Sequence, residues 1–205
     1  MRLGTMSFQS TAAYFSRALL AALLTVLISG AASAQTIPKQ KGPARIFAQF
    51  DFYCLKHIPD LTGIERAAGF GEYDQLLGDD LAPYVPEARY DKLFGWRYHD
   101  HGDEFILTAM RSEADDAVKR EAPAYAAATG TTCALRVPNT QPELLLGELT
   151  RAVGRPADKT WLDGATRVYS WTHQKADTLS FIQFHAPEIA GAKAMLSASL
   201  YMKKR

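Results

Sequence analysis

The two cysteines of this chain sit in matching surroundings, and that match constrains the fold more than any other feature. One neighbourhood reads Cys54-Leu55-Lys56-His57-Ile58-Pro59-Asp60, the other Cys133-Ala134-Leu135-Arg136-Val137-Pro138-Asn139. Both follow Cys-x-x-basic-Ile/Val-Pro-Asp/Asn. A threonine and a glutamate three residues apart come next each time, Thr62 to Glu65 and Thr140 to Glu143. That is the capping-box pattern, in which the threonine oxygen accepts from an orphan helical N–H and the glutamate reaches back. Helices are therefore expected from Gly63 and from Gln141. The second has a clean stop in Gly154 and Pro156, whereas Gly69 and Gly71 shorten or break the first.

Ahead of Cys54, residues Ile46, Ala48, Phe50 and Phe52 alternate with Phe47, Gln49, Asp51 and Tyr53. A period of two reads as a strand, with Cys54 on its core face. Cys133 shares a face with Leu135 and Val137 in the same way. A hairpin carrying one tryptophan follows each helix. In the first, Phe94, Trp96 and Tyr98 face Phe105, Leu107 and Ala109 across a turn at His101-Gly102, where glycine supplies the positive φ of a tight turn. In the second, Tyr169, Trp171 and His173 precede a turn over residues 174–177, then Leu179, Phe181 and Gln183. The predicted unit is strand, helix, strand, strand.

Two such units suit one α+β domain spanning residues 45–205. Its antiparallel sheet would carry helices packed on one face and would be built from two pseudo-symmetric strand-helix-strand-strand repeats. Repeat one covers about 45–111, a helical connector 113–128, repeat two about 131–185 and a tail 187–205. The tail fits a helix through Ile189, Leu196 and Leu200, and also alternates as a strand from Met195 to Tyr201. Residues 78–88, with Pro83 and Pro86, read as loop.

Residues 1–34 read as a secretory signal peptide. Arg2 and Arg17 are the only charges ahead of the apolar run Ala18 to Ile28, and Ala32-Ser33-Ala34 is a small-residue cleavage site before Gln35. That run is too short for the roughly 20 residues a spanning helix needs. Cleavage removes 34 of 205 residues and leaves 171, enough for one domain with its own core, at a net charge of −1 from 21 basic and 22 acidic residues. Residues 35–44 are expected to be a flexible leader. The protein is expected to be periplasmic or secreted, not membrane-spanning after signal removal. Near-neutral charge offers nucleic acid no electrostatic footprint. In an oxidising compartment, Cys54 and Cys133 are expected to form a disulfide.

Few residues point to chemistry. No nucleophile elbow, zinc-protease helix or phosphate-binding glycine loop is present. His99 and His101, two apart, with Glu104 across the hairpin, are the best metal-ligand candidates, although His101 sits in the turn itself. His173 and His185 lie near strand ends, His57 and Arg136 are matched basic positions, and Asp79-Asp80 and Asp115-Asp116 read as a turn and a helix surface. Most aromatics fit a core. The reading is a non-catalytic envelope protein without a cofactor, binding a small molecule or an envelope protein. The alternative is a metal-dependent or histidine-based hydrolase built on His99, His101 and Glu104.

Overall fold

The structure, a computed structural model, describes residues 42–203 apart from residues 72, 85–88, 138–140 and 190. The expected signal peptide and most of the leader lie outside the described residues. Helix α1 (Pro43–Phe50) continues into a π-helical turn (Asp51–Leu55) and is followed by α2 (Leu61–Phe70). A two-residue strand β1 (Asp74–Gln75) precedes the hairpin of β2 (Tyr90–Asp100) and β3 (Asp103–Glu113). Helix α3 (Asp116–Glu121) and a 3-10 turn (Pro123–Tyr125) lead to β4 (Thr129–Val137) and helix α4 (Pro142–Val153). Strands β5 (Lys159–Asp163), β6 (Thr166–Gln174), β7 (Thr178–Pro187) and β8 (Ala194–Met202) complete the chain order. All eight strands form one open antiparallel sheet in the order β1-β2-β3-β4-β8-β7-β6-β5. No helix among the described residues is long and apolar enough to cross a membrane.

The strand expected over 46–54 is instead helical. Ile46, Gln49, Phe50, Tyr53 and Cys54 are the buried positions, the i, i+3, i+4, i+7, i+8 stripe of a helix. Ile46, Phe50 and Cys54 satisfy both periods, so the alternation misleads; Gln49 and Tyr53 separate them. Pro43 opens α1 with its φ already fixed for a helix, which also takes residues 43 and 44 from the expected leader. Helix α2 begins at Leu61 with Asp60 at its cap position and no side-chain cap bond. Thr62 therefore lies inside the first turn, and the expected capping box is not made. Thr140 of the second box lies outside the described residues. Helix α4 starts one residue later than expected and ends at Gly154, whose φ of 79° is left-handed and whose N–H reaches Thr150 O at 2.9 Å.

The first hairpin has the expected register: Phe94 opposite Ala109, Trp96 opposite Leu107 and Tyr98 opposite Phe105. His101 and Gly102, at φ 54° and 87°, form its two-residue turn. In the second hairpin, Tyr169, Trp171 and His173 stand opposite Phe184, Ile182 and Ser180. Leu179, Phe181 and Gln183 thus face the other side of the sheet. The ambiguous tail resolves as β8, a central strand paired to β4 on one side and β7 on the other. The connector is helical only over α3 and its 3-10 turn.

One face of the sheet is covered by α1, the π turn, α2 and α4, where Phe50, Ile64, Leu145 and Leu149 pack on Phe105, Leu107, Leu135, Phe184 and Leu196. Cys54 and Cys133 are joined there, with Cα atoms 5.3 Å apart. The disulfide is the expected one, but it ties a helical turn to β4 beneath it rather than two neighbouring strands. A polar network fixes α1 further: Gln49 donates to Asp100 at 2.6 Å and accepts from Tyr98 at 2.8 Å, and Arg45 pairs with Asp103 at 2.8 Å. The helices are not all on this face. Val118 of α3 and Tyr125 pack with Leu179 and Tyr201 on the opposite one, because those strand positions alternate outward.

Candidate functional site

The face opposite the disulfide carries a broad concavity. Cross-strand register sets its side chains in rows. Thr132, Ser199, Phe181 and Thr172 form one row over β4, β8, β7 and β6; Ala134, Ser197, Gln183, Ser170 and Lys159 form the next, ending on β5. Small side chains on β8 and β6, Ser199 and Ser197 on one side and Thr172 and Ser170 on the other, flank Phe181 and Gln183 and leave a depression. Helix α3 stands over one side of it and Trp161 of β5 over the other. The cleft, open to solvent on one side, has a volume of about 640 Å³, a size ordinary for small-molecule sites.

Its lining is mixed. Phe181, Trp161, Tyr201 and Val118 supply apolar surface, while Ser170, Thr172, Ser199 and the Gln183 amide supply neutral donors and acceptors. The charged groups at the rim are already engaged. Lys159 Nζ meets Glu121 Oε2 at 2.6 Å, joining β5 to α3. Asp115 accepts from Val118 N at 2.7 Å as the cap of α3. Asp158 accepts from Thr172 N at 2.7 Å and pairs with Arg155. Burial pushes the Tyr201 hydroxyl up to about 12, so it stays neutral over the physiological range. A molecule entering this space meets aromatic walls, hydroxyls and one carboxamide. That arrangement suits binding an uncharged, partly apolar compound by shape and a few hydrogen bonds.

The residues singled out in the sequence lie elsewhere. His99 Nε2 stands 4.0 Å from Glu104 Oε2, but Glu104 is also bonded to Lys193 and lies 3.5 Å from Arg97. The Lys193 bond holds its carboxyl below the usual range. His101 is exposed in the turn, with Nδ1 2.6 Å from Asp100. No group of three or more metal-ligating side chains gathers among the described residues. Asp79 and Asp80 are exposed in a 3-10 turn, and Asp116 pairs loosely with Lys119 at 3.4 Å. His57 packs edge-on to Phe52, and Arg136 lies over the Tyr84 ring at 5.3 Å. His173 is exposed, whereas His185 is half-buried and its ring is held toward the neutral form by burial.

Sequence reasoning missed Ser170, Thr172, Gln183 and Ser199 because each is an ordinary outward strand residue. The signal was the set of neutral polar positions on β6, β7 and β8, visible only once register is known. Comparison with models of protein families, with curated proteins and with solved structures finds no match.

Proposed function

We propose that this chain is an exported, non-catalytic binding protein of the bacterial envelope, and that the cavity beneath α3 holds its ligand. The observation that carries the reading is the 640 Å³ space itself, lined by aromatic and neutral polar groups, with Lys159 paired to Glu121, Asp158 to Arg155 and Asp115 used as the cap of α3. Such a lining rewards a ligand for apolar burial, and its few hydrogen-bonding groups fix orientation. The basic, apolar and small-residue pattern of residues 1–34 supports export, as does the Cys54–Cys133 disulfide.

We also read the chain as two copies of one plan, redrawn from the unit expected in the sequence. Each half is a helix followed by four strands, α2 with β1–β4 and α4 with β5–β8, the first half carrying α3 as an insertion between β3 and β4, and the palindromic sheet order supports this pairing.

Native mass spectrometry of protein purified from its own host is the test. A retained neutral compound is the expected result, lost in a Ser199→Phe variant that fills the cavity floor. Retention of a metal ion, or turnover of a hydrolysable substrate that depends on His99 and Glu104, would overturn the reading in favour of the hydrolase.

A further inference from the structure

The two ends of the sheet differ. At one end β1 is only two residues long, too short to template another strand. At the other, β5 is a five-residue edge exposed along its whole length, with Trp161 41% and Leu162 55% accessible. An exposed edge of this kind is a ready template for an added strand.

The hydrogen-bonding phase of that edge is set by its hairpin. Asp163 and Thr166 close the two-residue turn at Gly164-Ala165 and are paired in register. The residues closing such a turn exchange both backbone bonds. Asp163, Trp161 and Lys159 therefore aim their backbone groups at β6, while Thr160 and Leu162 aim theirs outward.

The strand is complementary to its own reverse. Centred on Trp161, an antiparallel pairing of Lys159-Thr160-Trp161-Leu162-Asp163 with a second copy sets Lys159 opposite Asp163 and Thr160 opposite Leu162. The outward-facing pair Thr160 and Leu162 falls in the hydrogen-bonded positions that this register requires. Trp161 meets its counterpart at the closer, non-bonded position, on the same face of both sheets. Among the described residues Asp163 makes no ion pair, and Lys159 has Glu121 of its own chain. We propose that the protein forms a twofold dimer through antiparallel pairing of β5 with the partner's β5, giving a continuous sheet of sixteen strands. Four backbone hydrogen bonds hold it, and each Lys159, kept on Glu121 of its own chain, also faces the partner's Asp163. Because Trp161 also walls the cavity, the two cavities approach each other across the axis.

Sedimentation equilibrium of the protein as its host produces it, from micromolar to millimolar, tests this. A concentration-dependent dimer is expected. Leu162→Pro removes only an outward N–H and should leave a folded monomer. Asp163→Lys sets lysines opposite lysines, and Lys159→Asp sets aspartates opposite aspartates, so each alone should weaken self-association by about tenfold or more. Mixed together, the two charge variants restore both opposite-charge pairs and should form a heterodimer. A monomer at every concentration, or a dimer indifferent to all three substitutions, would overturn the proposal. Failure to dimerise leaves the ligand reading standing, since that rests on retention by each chain.

Discussion

Cys54 and Cys133 share a sequence pattern and a covalent bond, yet one lies in a helical turn and the other in a central strand. The segments downstream of them do agree: Ile58-Pro59 leads into α2, and Val137 stands a few residues ahead of α4. The shared pattern is thus a mark of approach to a helix. It carries no information about the element that comes before. Local sequence likeness reports the next structural event, and the preceding element is decided by which period the buried side chains obey.

The largest test of that pairing is the bond itself. Replacing both cysteines by alanine should cost about 4–5 kcal/mol in denaturant unfolding, as expected for a crosslink closing a loop of this length. A cost near zero would mean that the helical layer and β4 hold together without it. Next, Tyr53→Ala should cost about 3–5 kcal/mol because the helical stripe buries that ring, with Phe52→Ala clearly milder. The reverse order in thermal melts would restore the strand over 46–54. On the other side of the bond, Leu135→Ala should cost about 2–5 kcal/mol, since alternation in β4 turns it fully inward. The smallest effect belongs to Thr62→Ala, expected to stay within about 0.5 kcal/mol because no cap bond is lost. A loss of about 1 kcal/mol or more would put the capping box back.

Much of the sheet was legible where turn chemistry fixed the register. The tight turn at His101-Gly102 leaves one way to pair Trp96 with Leu107, and the structure has that pairing. The second hairpin has a longer turn, from which the face of Phe181 could not be read. Residues 46–54 misled because three of their buried side chains, Ile46, Phe50 and Cys54, fit both periods. The cavity was illegible for a different reason: Ser170, Gln183 and Ser199 come from three strands, and nothing local marks them as neighbours. The disulfide was legible from the two cysteines taken together with the export signal expected ahead of them.

The place of β8 between β4 and β7 sets an order of events for a chain made and threaded from its N-terminus. Both of its partners emerge first, and each must wait with a row of unmatched backbone groups until β8 arrives. Pairing of β4 with β8 spans residues such as Cys133 and Ala198, far apart in sequence, so the two halves of the sheet cannot zip together early. Under the export proposed above, a chain that crosses the membrane unfolded gains from that delay. The same delay makes β4 and β7 the surfaces most exposed to a chaperone, or to another molecule's strand, before the last piece is seated.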